Sequence, residues 1–212
     1  MRLFAAVVPP SDALDHLERA LDSVRAGLGA DAHDVRGPLR WTVPEDRHLT
    51  VAFYGEVPDG FLDELTLALD RATATTSPFE VSLRGAGLFD RRMLWVGCGG
   101  ETGPLADLMA AAVDAGREVL GRADDRVRSR AHLTVARVRN ETRRPPGRTA
   151  RRGDAPARQD DAGALAHALA VYQGPTWTVR EVVLVASELG GGPSGSPRHT
   201  VVSRFPLPAV AG

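Results

Sequence analysis

One cysteine, no lysine, few aromatic residues (three Trp, two Tyr, six Phe) and no long apolar run characterise this 212-residue chain by what it lacks. The lone Cys98 excludes an internal disulfide and disfavours a thiolate-ligated metal; its neighbours Leu94, Trp95 and Val96 suggest a packed thiol on a buried strand. All 26 basic residues are arginine, a bias that GC-rich coding produces without selection for function. With 27 acidic residues the net charge is −1, so the molecule as a whole exerts no long-range pull on nucleic acid, and any basic character must be local. The opening run Leu3–Val8 is too short for a signal-peptide core or a membrane span and meets Pro9-Pro10. A cytoplasmic protein is expected. Apolar residues at 43% and charged residues at 25% are ordinary for a globular chain long enough to bury a substantial core.

Against that plain background, five residues occur twice: His-Leu-Thr-Val-Ala at 48–52 and again at 132–136. Six histidines in the whole chain make coincidence a poor account. Both copies lie in apolar, β-branched surroundings, which read as strand. Side chains two apart on a strand share a face, so each copy presents an imidazole beside a hydroxyl, backed by Leu and Val.

The surrounding pattern predicts strands at Arg2–Val8, Leu39–Val43, His48–Tyr54 and Phe79–Leu88. Helices are expected after Ser11 as N-cap, with Leu14, Leu17, Leu21, Val24 and Leu28 inward, and at Phe61–Ala74. The order then restarts: strand Met93–Cys98, helix Pro104–Leu120, strand Ala131–Val138, helix Ala162–Ala170, a long strand Thr176–Leu189 and a closing strand Thr200–Phe205. A duplicated strand-helix-strand-helix-strand unit follows. The fold class is α+β, one bilobal domain over 1–212 with halves near 1–90 and 91–212 and the motif strands lining a central cleft. Residues 140–161 carry Arg143, Arg144, Arg148, Arg151, Arg152 and Arg158 among Pro, Gly and Asp. They cannot build a core and are expected to form a mobile loop, either solvated or closing over a polyanion.

Two imidazoles facing one another suit acid–base chemistry on a small anion. Histidine titrates near pH 6.5, so one ring can accept a proton while the other donates one. Thr50 and Thr134 would bind non-bridging oxygens as charge builds on them. No metal or other cofactor is demanded: no His-x-His, cysteine pair or carboxylate array flanks the motifs. The face shared by His132 and Thr134 extends back to Arg130, whereas the equivalent position in the first copy is Asp46. Arg130 could therefore fork onto phosphate or form a surface ion pair.

Two His-x-Thr-x strands, one per half of a chain near 200 residues, resemble the two-histidine phosphoesterases. The branch most similar is the RNA 2′,3′-cyclic phosphodiesterases, long labelled 2′-5′ RNA ligases. The resemblance runs through Arg2-Leu3-Phe4-Ala5-Ala6, Trp41, His48–Gly55, Leu94–Gly97, Arg130–Arg137 and Arg204–Leu207. It implies hydrolysis of 2′,3′-cyclic phosphate RNA ends to a 2′-phosphomonoester, with His48 as proton donor and His132 as proton acceptor. It also implies that an arginine near Arg130 touches substrate.

The chain departs from the family pattern where Ala131 replaces a proline, where Glu188 falls near a usual arginine, and where His199 replaces an aromatic. His16, His33 and His167 read as surface residues. Expected partners are RNA ends or small cyclic nucleotides, with no membrane, no metal and a monomeric state. Open alternatives are 2′-5′ ligation, cyclic-nucleotide opening, and RNA-end binding without turnover.

Overall fold

The structure, a computed structural model, describes residues 1–28, 39–122, 131–139, 157–192 and 196–208. Nine strands and four helices form along them. In chain order these are β1 (Arg2–Val7), α1 (Ser11–Leu28), β2 (Leu39–Trp41), β3 (Leu49–Glu56), α2 (Leu62–Thr73), β4 (Phe79–Phe89), β5 (Met93–Gly100) and α3 (Thr102–Leu120). There follow β6 (His132–Val138), α4 (Ala157–Ala168), β7 (Gln173–Val179), β8 (Glu181–Glu188) and β9 (Arg198–Pro206). The α+β class holds: the pairings are antiparallel, in the order β7-β4-β5-β6-β3-β1-β8-β9, with β2 added to β6. Among the described residues no helix is long and apolar enough to cross a membrane.

Strand alternation sorts the sheet into two faces. One carries Leu3, Ala5, Val7, Leu49, Val51, Val81, Leu83, Leu133 and Val135, and packs against Leu17, Leu21, Leu65, Leu69, Leu105 and Leu108 of the helices. Helix α1 begins at Ser11 itself rather than after it. Pro10 O accepts from Ala13 and Leu14 N–H, and the Asp12 carboxylate takes Ala13 N–H at 2.8 Å. Cys98 is half-buried beside the core, and burial pushes its thiol up to about 11, as suits a packed, unreactive side chain.

The two motif strands meet at a single pair, Leu49↔Leu133, with both leucines fully buried. Beyond that point they diverge, because β2 takes over the edge of β6: Leu39↔Val138, Arg40↔Arg137 and Trp41↔Ala136 are paired, and Thr42 N–H donates to Val135 O at 2.8 Å. His48, Thr50, His132 and Thr134, which flank the buried leucines on the opposite strand face, line a cleft there.

Each motif strand also bulges at the same place. The register of β3 on β1 shifts as it passes from Thr50 to Ala52, and that of β6 on β5 shifts as it passes from Thr134 to Ala136. Val51-Ala52 and Val135-Ala136 are consequently buried in succession, and alternation resumes one residue out of step. Phe53 and Arg137, each five residues beyond its motif histidine, are thereby returned to the motif face.

One strand of the sequence pattern divides in two. Thr176–Leu189 reads as continuous, but the chain breaks at Arg180: β7 pairs with β4 while β8 crosses to pair with β1. Arg180 and Glu181 are both exposed, and this interruption of the alternation is the local signal of the break. Strands β8 and β9 thus lie beside β1 and β3, while β4 lies with β5, β6 and β7. The segment expected as an Arg-rich loop falls outside the described residues over 140–156, and 157–161 is the first part of α4 rather than loop.

Replacing Leu133 with Ala at the only residue pair joining β3 to β6 should cost about 2–5 kcal/mol. Urea unfolding of the variant against the parent chain reads this directly; a loss under about 1 kcal/mol would mean that the junction tolerates a cavity.

Candidate active site

The first motif is held from behind by charge. Arg47, the residue before His48, is 2% exposed, and its Nη1 lies 2.5 Å from Glu18 Oε2 on α1. Its Nε–H donates to Thr42 O at 3.2 Å. The other Glu18 oxygen accepts from Arg25 at 2.6 Å, and the Arg25 guanidinium lies 3.8 Å over the ring of Trp41. One carboxylate therefore clamps two buried arginines and fixes both strand segments that lead into the motif. Burial on its own would raise the Glu18 pKa, but Arg25 and Arg47 outweigh it and hold the carboxyl below its ordinary value. Desolvation lowers Arg47 against the opposing pull of Glu18.

His48 is oriented by the turn before it. After the short 3₁₀ turn Pro44–Asp46, the Asp46 carbonyl lies 2.8 Å from His48 Nδ1. A carbonyl only accepts, so Nδ1 carries the hydrogen and, in the neutral ring, Nε2 bears the lone pair. Phe4 stacks on the ring at 4.6 Å between centroids, and His199 meets it edge-on at 5.4 Å. His199 Nδ1 in turn lies 3.2 Å from the Asp46 carboxylate. Asp46 thus serves both histidines, one through its backbone and one through its side chain.

The second motif has a different wall. His132 meets Phe89 edge-on at 4.8 Å and Trp95 at 6.4 Å, while Phe89 and Trp95 stack at 5.2 Å. Trp95 lies flat because position 87 is glycine: a Cβ there would fall 2.4 Å from the indole. Thr134 donates to Met93 Sδ at 3.4 Å, a weak acceptor that a phosphate oxygen would readily replace. Thr50 is half-buried on the same face as His48.

All four motif side chains predicted from sequence, His48, Thr50, His132 and Thr134, line one cleft together with Phe4, Phe89, Met93, Trp95 and His199. Continuing the Leu49↔Leu133 register by one residue sets His48 against Thr134 and Thr50 against His132. Arg130 and His33 lie outside the described residues. His16 is on α1 with its Nδ1 3.1 Å from Tyr172 OH, and His167 is exposed on α4. Glu188 is exposed, 3.9 Å from Arg198. Sequence reasoning missed Arg47, Asp46, Phe4, Phe89 and Met93 as parts of the site. Arg137 also lines the cleft, cross-strand from Arg40, and desolvation followed by this like charge lowers its pKa. Among the described residues no group of three or more His, Cys, Asp or Glu side chains is placed to hold a metal ion.

The sequence profile of the LigT-like phosphoesterases matches residues 8–95, a span that contains the first motif and its strand. Over that span the chain is similar to the LigT-like phosphoesterases. Several relatives of this group carry the name RNA 2′,3′-cyclic phosphodiesterase. That of Geobacillus stearothermophilus is 29% identical over 175 residues, 80% of this chain and 48% of that protein. That of Methanothermobacter thermautotrophicus is 32% identical over 101 residues, 46% of this chain and 50% of that one. The chain thus spans about half the length of these two relatives. Against the namesake from Thermus thermophilus the match is 29% over 219 residues, 98% of this chain and 90% of the other. Among solved structures, TT0787 of Thermus thermophilus superposes with a TM-score of 0.70 at 26% identity, covering 99% of this chain and all of that one. Escherichia coli LigT complexed with 3′-AMP shares the LigT-like fold at a TM-score of 0.62 and 21% identity, over 97% of this chain and 96% of that one.

Two outcomes follow from the geometry. Glu18→Gln removes the carboxylate between two buried guanidiniums, of which Arg25 keeps Asp22 at 2.9 Å, and should destabilise by about 2–3 kcal/mol, less than a fully buried pair because Glu18 is 30% exposed. Because the folded-state pKa of Glu18 is depressed, its contribution is full above the unfolded value near 4.3 and is lost as pH falls through the lower folded value. Urea midpoints should therefore differ between the two chains at pH 6 and converge toward pH 2. In the neutral ring of His48, nitrogen-15 shifts should show the Nδ1-protonated tautomer; an Nε2-protonated ring would refute the bond to Asp46.

Proposed function

We propose that the chain hydrolyses 2′,3′-cyclic phosphodiester ends of RNA to 2′-phosphomonoesters, by two-histidine acid–base catalysis that needs no metal. The observation that carries this reading is the pairing of two imidazoles and two hydroxyls on one face around the Leu49↔Leu133 junction. The names of the relatives give the substrate class.

The cyclic phosphate sits between the motif strands, with Thr50 and Thr134 donating to its two non-bridging oxygens. His132 takes a proton from water as the water oxygen bonds to phosphorus, in line with the 3′ oxygen. The bond from phosphorus to the 3′ oxygen breaks, and His48 Nε2 supplies the proton that this oxygen needs, leaving phosphate on the 2′ oxygen. Charge accumulates on the non-bridging oxygens in between, where the two hydroxyls hold it. Arg130, next to the second motif, adds a fixed positive charge to the same phosphate.

The surroundings of the two rings support the division of labour. His48 keeps its Nδ1 hydrogen on the Asp46 carbonyl and meets His199, which itself faces the Asp46 carboxylate, an environment that suits a ring carrying a second proton. Aromatic rings border His132, a wall that suits a ring beginning neutral.

The deciding assay incubates the chain, in EDTA, with a short RNA ending in a 2′,3′-cyclic phosphate and resolves the position of the product phosphate. A 2′-phosphate should form, and His48→Ala and His132→Ala should each lower the rate by about 10²–10⁴. Turnover indifferent to either histidine, a 3′-phosphate product, or binding without turnover would refute the assignment.

A further inference from the structure

Along β3, away from the reacting centre, the motif face continues as an aromatic path that ends in a cation. Phe4, stacked on His48, belongs to a small buried cluster with Ala6, Val183 and Val185, and Phe53 packs against that cluster. The guanidinium carbon of Arg2 lies 4.8 Å over the Phe53 ring. Arg2 and Phe53 both line the cleft.

The duplicated strands say what stands opposite. Phe53 and Arg137 occupy the same position after their histidines and are returned to the motif face by the same bulge. The second half therefore sets a guanidinium there from the strand itself, and the first half sets an aromatic ring that carries a guanidinium from β1.

Arg2 is also uncommitted. Arg71, Arg117, Arg198 and Arg204 each face a carboxylate, whereas among the described residues Arg2 has none within ion-pair distance, its cross-strand neighbour Glu56 included. A guanidinium held over a ring by cation–π attraction keeps its charge and its N–H donors, the groups that grip phosphate oxygens.

We propose that Arg2, held over the Phe53 ring, is a phosphate subsite for the RNA chain upstream of the reacting end, a phosphodiester that a nucleoside cyclic phosphate lacks. The proposal rests on the RNA-end reading above. At about 3.3 Å per residue, the strand from His48 to Phe53 runs roughly 15 Å. A mononucleotide anchored by its cyclic phosphate between the threonines places no second phosphate there; an oligonucleotide does. The site would thereby favour RNA ends over small cyclic nucleotides.

The test compares a trinucleotide ending in a 2′,3′-cyclic phosphate with a nucleoside 2′,3′-cyclic phosphate, on the parent chain and on Arg2→Gln, Arg2→Lys and Phe53→Leu. For the trinucleotide, Arg2→Gln should raise KM about 10-fold and flatten its logarithmic salt dependence by about 0.7, while KM for the mononucleotide stays within about twofold. Arg2→Lys should recover part of the loss, and Phe53→Leu should imitate Arg2→Gln in milder form. Equal effects on both substrates, or none, would overturn the subsite, and thermal melting confirms that each variant is folded. Calorimetric binding of the trinucleotide 2′-phosphate against the nucleoside 2′-phosphate reads the same preference without turnover. A chain that hydrolyses neither substrate yet loses trinucleotide affinity in Arg2→Gln would refute the hydrolase reading and keep the subsite; one whose affinities are unmoved would refute the subsite alone.

Discussion

The contact on which the site depends is apolar and small: Leu49 against Leu133, the one residue pair through which β3 touches β6. A continuous ladder between these strands would press the two motif faces into one flat sheet and leave no room between the imidazoles. No ladder at all would let the halves drift. A single fully buried pair does neither, because it fixes where the strands meet and lets β2 pry them apart a few residues later. Sequence periodicity converts that hydrophobic point into a polar arrangement. On a pleated strand the residues flanking a buried leucine face the other way, so burying Leu49 and Leu133 together sets His48, Thr50, His132 and Thr134 around the same point on the open side.

This logic explains what was legible in the sequence. Period-two patterning is a property of the chain itself, so the pairs His48–Thr50 and His132–Thr134, the strands carrying them and the α+β class could all be read directly. The groups that hold those side chains in place could not. Asp46 orients His48 through a backbone carbonyl, a group every residue has and no sequence advertises. Arg47 reads as a surface charge until α1 is known to lay Glu18 against it. Phe4, Phe89 and Met93 look like ordinary strand apolar residues, and only topology shows that they stand on the polar face. The division of Thr176–Leu189 escaped for a related reason: a strand that leaves one edge of a sheet for another keeps its composition, and only the adjacent exposed pair Arg180-Glu181 betrays it.

The verbatim repeat encodes more than the histidine and threonine pairs. Its last two residues, Val-Ala, are where both strands bulge, and small alanine suits a position where two successive side chains must turn inward. Symmetry is kept in the imidazole and hydroxyl that each strand presents to the cleft. It is relaxed in what encloses each ring: a carbonyl, Phe4 and a second imidazole around His48, Phe89 and Trp95 beside His132. Two chemically identical groups can then take opposite roles without any change to the strands that hold them.

The crossing of β8 and β9 back to β1 has a consequence for how the molecule is made. During synthesis β1 and β3 emerge early, but β1 must wait with one edge unpaired until more than a hundred further residues have been added. A chain in that interval exposes a long template for wrong pairing, and closure of the sheet is a late, long-range event of the kind that slows folding. The ribosome can thus display the first histidine well before the strand that bears its neighbour His199 exists, so the full surroundings of His48 are assembled only with the last strands.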